Sequence, residues 1–274
     1  MKSATLPVPG ATLHYEVRGS GPLLLMIPGG GGDAGVFDEM AEVLARRCTM
    51  VAFDPRGYSR SPQDGEPQDR QVAVQADDAY RLLTHVTDEP AYVFGTSAGA
   101  VVCLELLARY PDSVRTLLAH EPPCFEVLAD AATHRTMIGE VRSLFRTDGV
   151  GPAMARFVIG IGGTLTPPPD FSELPPHIRE LRARLAENMP AMVEHELKAI
   201  TSYQPDFAAL AASADRLTLA VGRDSGSALS ARPAAAIADR LGLEVAEFPG
   251  DHNGIRTEAN SFAEQLIEAF MSRC

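Results

Sequence analysis

Apolar runs of five or six residues recur along the chain, at 12–17, 23–28, 49–54, 91–96, 116–120, 217–222 and 244–248. Between them lie segments whose apolar residues return every three or four positions. Residues 34–47 carry Phe37, Met40, Ala41 and Leu44 at helical spacing, 70–86 are similarly amphipathic, and 98–109 are almost continuously apolar until Pro111 closes them. Short all-apolar strands need cover on both faces, and intervening helices supply it, so the alternation predicts a mostly parallel sheet flanked by helices. The rhythm stops between 122 and 215. That stretch reads as several helices broken across 160–176, where Gly162, Gly163 and Pro167 to Pro169 oppose regular structure. The expected organisation is a core of residues 1–121 and 215–274 with a helical insertion, 122–214, lying over the sheet as a lid.

Composition narrows the function. A chain of 274 residues, 45% hydrophobic, can build a substantial core, and a net charge of −12 repels nucleic acid and anionic lipid alike. Neither partner is expected. Pro7, Val8, Pro9 and Gly10 stand where a signal peptide would need an apolar run, and no stretch is long enough to span a bilayer, so a cytoplasmic location is expected. Cys48, Cys103, Cys124 and Cys274 are too scattered for a disulfide framework or a zinc site.

The chemistry is concentrated at strand ends. The run Tyr92-Val93-Phe94 leads into Gly95-Thr96-Ser97-Ala98-Gly99 and then into the apolar helix. A nucleophile on a sharp strand-to-helix turn needs small neighbours, and it gains from a helix N-terminus that favours developing negative charge. The five-residue pattern arises by chance in roughly one such sequence in ten, so the strand before it and the helix after it carry the assignment. Ser97 is the candidate nucleophile. Upstream, 23–27 runs into Pro28 and four glycines, Gly29 to Gly32. Bare backbone amides there can approach a reacting oxygen, and Gly30 with Ala98 are the candidate oxyanion donors. Asp33 and Ala34 follow in place of the Gly-Lys-Ser/Thr of a phosphate loop. His252, in Pro249-Gly250-Asp251-His252-Asn253-Gly254 after the last run, is the candidate base. His120 ends a strand and is read as supporting structure. Two carboxylates between Ser97 and His252 stand at strand ends, Glu121 and Asp224, and the residues alone leave both open as the acid that orients the imidazole.

Together with Asp54-Pro55-Arg56-Gly57-Tyr58-Ser59, a loop read as structural, these features resemble the α/β-hydrolase superfamily over nearly the whole chain. The segments Ser97-Ala98-Gly99-Ala100, Arg109-Tyr110-Pro111-Asp112-Ser113-Val114-Arg115 and His120-Glu121-Pro122-Pro123 resemble its zearalenone lactone hydrolases. That resemblance implies an α/β-hydrolase fold with the lid inserted after its sixth strand, and an acid in a His-Glu-x-Pro segment, which maps onto Glu121. The family's commoner arrangement places an Asp three residues after the glycine ending the next strand. Counted from Gly222 that position is Ser225, and Asp224 falls one short. The usual His-Gly after the third strand is Pro28-Gly29 here. The expected activity is cofactor-free serine hydrolysis of a fairly apolar ester or lactone. A perhydrolase or haloperoxidase using the same triad, and a non-catalytic small-molecule receptor, are the alternatives. A homodimer is left open.

Overall fold

The computed structural model describes residues 1–165 and 174–271, so Pro167 to Pro169 and Cys274 lie outside the described residues. The elements are β1 (Lys2–Val8), β2 (Ala11–Gly19), β3 (Leu23–Ile27), α1 (Asp38–Leu44), β4 (Thr49–Phe53), α2 (Val72–Val86), β5 (Ala91–Thr96), α3 (Ala98–Arg109) and β6 (Val114–His120). They continue with α4 (Ala131–Asp148), α5 (Val150–Gly160), α6 (Pro176–Ala191), α7 (Leu197–Thr201), α8 (Phe207–Ala212), β7 (Leu217–Gly222), α9 (Arg232–Leu241), β8 (Val245–Phe248), α10 (Gly254–Thr257) and α11 (Ala259–Met271).

The eight strands form one sheet in the order β1-β2-β4-β3-β5-β6-β7-β8. From β4 to β8 every pairing is parallel, as the alternation of runs and amphipathic segments predicts, whereas β1 and β2 join antiparallel. All six residues of β5 are buried. One face packs Val93, Leu117 and Leu219 against α2, α3, α8 and α9, and the other packs Met26, Phe94 and Phe248 against α1 and α11. The helix expected over 34–47 is shorter: a 3-10 turn at Ala34–Phe37, opened by the Asp33 side chain accepting from the Gly35 amide, precedes α1. Strand β1 has no counterpart among the apolar runs because it is exposed along most of its length and carries Pro7, so no buried face marks its sequence.

Between β6 and β7 the chain builds α4 to α8. This segment has its own apolar cluster, centred on Phe125, Met137, Val141 and Val193. Pro190 lies inside α6, and the helix then widens into a π-helical turn at Met192–Glu196. A proline removes one amide from the helical ladder, so the regular pattern is already broken just before the wider turn. No helix of the described residues is long and apolar enough to cross a membrane.

Candidate active site

Strand β3 has β4 on one side and β5 on the other, so chain connections diverge from it in opposite directions. A crevice opens at the carboxyl ends of strands at such a point. The register sets out its contents in a row: Ile27 pairs with Gly95, Thr96 with His120, His120 with Ala220, and Gly222 with Phe248. The glycine loop, Ser97, Glu121, the 222–225 turn and the His252 loop therefore emerge side by side.

Ser97 occupies φ 53° and ψ −122°, a strained conformation for a residue with a side chain. Its amide donates to the His120 carbonyl at 2.9 Å, which holds the bend onto β6. A methyl group on Gly99 would overlap the Ile27 and Pro28 carbonyl oxygens, so only glycine lets α3 start this close to the glycine loop. Ser97, His252, Gly30 and Ala98 all open onto one cleft of about 880 Å³. The Ser97 hydroxyl and His252 are not hydrogen-bonded to each other in this structure, and the hydrogen-bond partner of the imidazole is Glu121.

Glu121 is fully buried beneath the cleft and also has a left-handed backbone, φ 48°. Its amide continues the sheet pairing by donating to the Ala220 carbonyl at 2.9 Å, and the twist then turns its side chain across the end of β7. There Oε1 accepts from the Gly222 amide at 2.9 Å and Oε2 lies 2.6 Å from His252 Nδ1. An acid placed after β6 must reach past β7 to meet a base carried after β8, and strands are about 4.8 Å apart, so the extra methylene of glutamate over aspartate is used. Burial works against ionisation of this carboxyl, but the hydrogen bond and charge of His252 outweigh it and bring the group down to about 2.

Asp224, the alternative acid, is exposed and makes no hydrogen bond or ion pair with the imidazole; its amide donates to the Gly250 carbonyl at 2.9 Å. Ser225, at the position of the commoner family acid, is buried close to the Glu121 carboxylate. A second carboxylate there would meet a like charge at short range, which an uncharged serine avoids.

Gly222 has a second task. A Cβ on it would sit 2.6 Å from the Gly250 oxygen and 2.7 Å from the Asp251 oxygen, so the His252 loop folds down over a bare strand end. The variant Gly222→Ala should displace this loop and lower kcat by about tenfold or more, a misplacement effect. Circular dichroism and steady-state rates on one preparation check it.

His120 is fully buried, with Nδ1 3.2 Å from the Thr96 hydroxyl and its ring stacked near that of His252, centroids 6.4 Å apart. Burial first, and the neighbouring His252 in addition, lower its pKa from 6.5 to about 4. The unfolded chain therefore takes up this proton before the folded one. The stability conferred by the neutral ring is complete above about 6.5 and is lost as the pH falls through about 4. Urea midpoints should fall across that window, and His120→Asn should flatten the fall by about 3 kcal/mol.

The glycine loop's amides are largely accounted for: Gly32 donates to Gly29 and Ala34 to the Asp54 carboxylate. Those of Gly30 and Ala98 have no acceptor within the protein among the described residues. Of the insertion's apolar residues, Phe157, Val158, Met189 and Met192 reach the cleft, whereas Met137, Ile138, Leu144, Phe145 and Val193 belong to the insertion's own packing. Arg56 forms a bidentate pair with Asp78, both bonds 2.6 Å, and neither residue lines the cleft of Ser97. Of four polar residues close to the glycine loop, Tyr58 and Ser59 stand in the loop read as structural, whereas Asn188 and Glu196 carry no sequence signal. Glu196 is buried on the cleft wall with Tyr58 Oη donating at 2.6 Å and Gln75 Nε2 at 2.8 Å, yet an isolated glutamate on an amphipathic segment reads as a solvated one.

A family model described as alpha/beta hydrolase fold matches residues 22–146. The uncharacterized hydrolase YraK of Bacillus subtilis (strain 168) is 35% identical over 97% of this chain and 95% of its own length. The zearalenone hydrolase of Bionectria ochroleuca is 32% identical over 44% of this chain and 47% of its own. Among solved structures, the enol-lactonase of Burkholderia xenovorans LB400 superposes with a TM-score of 0.70 at 18% identity, covering 98% of this chain and 100% of that one. With a relative aligned from end to end and a sheet of this order, the chain belongs to the α/β-hydrolase superfamily and is a hydrolase of that fold.

Proposed function

We propose that the protein is a serine hydrolase that cleaves a carboxylic ester or lactone of a fairly apolar small molecule through an acyl-enzyme on Ser97. The observation that carries this reading is the Glu121–His252 pair, 2.6 Å long, standing in the same cleft as a serine held on a strained turn. With Nδ1–H donated to Glu121, His252 Nε2 is left as a base. It takes the hydroxyl proton as Ser97 Oγ bonds to the acyl carbon, and the Glu121 carboxylate stabilises the resulting imidazolium. The tetrahedral oxygen accepts from the Gly30 and Ala98 amides, each worth roughly 3 kcal/mol in comparable sites. Collapse breaks the bond to the alkoxide, which leaves with the imidazole's proton. Water, deprotonated by His252, then attacks the acyl-enzyme and releases the acid and Ser97.

The insertion, 122–214, acts in this reading as the lid, and the apolar side chains it sends into the cleft favour an uncharged substrate. A volume of about 880 Å³ suits a drug-sized molecule. The names of the zearalenone hydrolase and the enol-lactonase support a lactone as readily as an open ester. The test is turnover of a panel of aryl esters, small lactones and macrolactones together with labelling by a fluorophosphonate. Turnover and labelling of Ser97 support the reading, while a wild-type protein that binds a small molecule but takes no label is a receptor on this fold.

A further inference from the structure

A run of four glycines is the part of the backbone least able to hold a shape by itself, because each residue has the widest choice of conformations to lose. An oxyanion hole has the opposite requirement, since its donors lower the barrier only when they are in place beforehand. Something must pin the loop, and the pins come from the insertion.

Asn188, on α6, is buried and 4% exposed. Its Nδ2 donates to the Gly31 carbonyl at 3.0 Å and to Ser59 Oγ at 2.9 Å, and its Oδ1 accepts from the Ser59 amide at 2.9 Å. Ser59 points its amide this way at φ 47°, a left-handed conformation that strains a residue with a side chain, so the contact is made in spite of backbone strain. Next to Ser59, the Tyr58 hydroxyl donates at 2.6 Å to Glu196 on the π-helical turn following α6, a second tie between this part of the insertion and the loop that Asn188 holds. One turn before Asn188, Arg184 pairs at 2.7 Å with the fully buried Asp33, which ends the glycine loop and also accepts from the Ser59 hydroxyl at 2.9 Å. Gly31 itself sits at φ 69°, one residue after the proposed donor.

We infer that Asn188 is a positioning residue for the oxyanion hole: by holding the Gly31 carbonyl from the insertion, it keeps the preceding Gly30 amide aimed at the reacting oxygen. This rests on the reading of Ser97 and Gly30 given above. It also makes α6 and the glycine loop one mechanical unit, so a displacement of α6 away from the sheet would release the loop with it.

The test compares wild type with Asn188→Ala and with Asn188→Asp, which keeps the size and the acceptor for Ser59 but loses the amide donor. With an aryl ester, both variants should lose roughly 10- to 100-fold in kcat with KM within about threefold. Affinity for an aryl trifluoromethyl ketone, which forms an oxyanion on Ser97, should fall by a similar factor, and that for the unreactive methyl ketone should hold. If both ketones lose affinity together, or kcat persists in the two variants, Asn188 is only part of the cleft's framework and the inference is overturned while the hydrolase reading stands. If the wild-type protein neither turns over any ester nor takes a fluorophosphonate, that reading fails and takes the inference with it.

Discussion

Ser97→Ala should lower kcat on the best ester of the panel by about 10⁴- to 10⁶-fold and abolish fluorophosphonate labelling, with the melting temperature almost unchanged. The size follows from the proposed mechanism: without Oγ no acyl-enzyme would form, and what would survive is the catalysis by the proposed oxyanion donors and binding alone. Stability is nearly spared because the hydroxyl is half-buried at the cleft and the bend is held by the Ser97 amide on His120, which alanine retains. The strain at φ 53° stays as well, since any side-chain-bearing residue meets it. Active-site-titrated protein is needed for the measurement, because traces of wild type would mask a loss this large. A variant that keeps a tenth of its rate would move the nucleophile elsewhere.

Glu121→Gln should cost about 10⁴-fold in kcat, while Asp224→Asn stays within about twofold. Glutamine fits the same space, and its oxygen can still accept from the Gly222 amide as Glu121 Oε1 does at 2.9 Å. Its NH₂ group then faces His252 Nδ1 and donates to it, so the ring proton is forced onto Nε2. The nitrogen nearest the serine is no longer a base, and no carboxylate remains to stabilise the imidazolium. Asp224 is exposed and not bonded to the imidazole, so removing its charge alters neither effect. The two variants measured side by side decide the acid, and a large loss in Asp224→Asn with none in Glu121→Gln would reverse the assignment.

Much of this is visible in the chain order because the fold reads strand ends locally. The Gly95-to-Gly99 turn, the glycine run after β3 and the histidine loop after β8 are each written in five or six consecutive residues, and parallel pairing guarantees that such loops share one edge of the sheet. The carboxylate is less local. Glu121 and Asp224 both follow strands, the likeness to the lactone hydrolases points to Glu121, and the register of β6, β7 and β8, with the left-handed turn at Glu121, carries that side chain to the imidazole.

The amino-acid sequence by itself determined the alternating architecture, the serine on its turn, the bare glycine backbone beside it and the late histidine, because each depends on short-range chemistry: a periodicity, a missing side chain, a residue next to a strand. Tertiary structure decided how the Glu121 carboxylate reaches the histidine, which apolar residues of the insertion face the cleft, and that Asn188 meets Gly31, 157 residues earlier in the chain, and Glu196 meets Tyr58, 138 residues earlier. Those contacts have no local signature. A buried amide or carboxylate is identified only by the partners that satisfy it, and here those of Asn188 and Glu196 precede the insertion while those of Glu121 follow it.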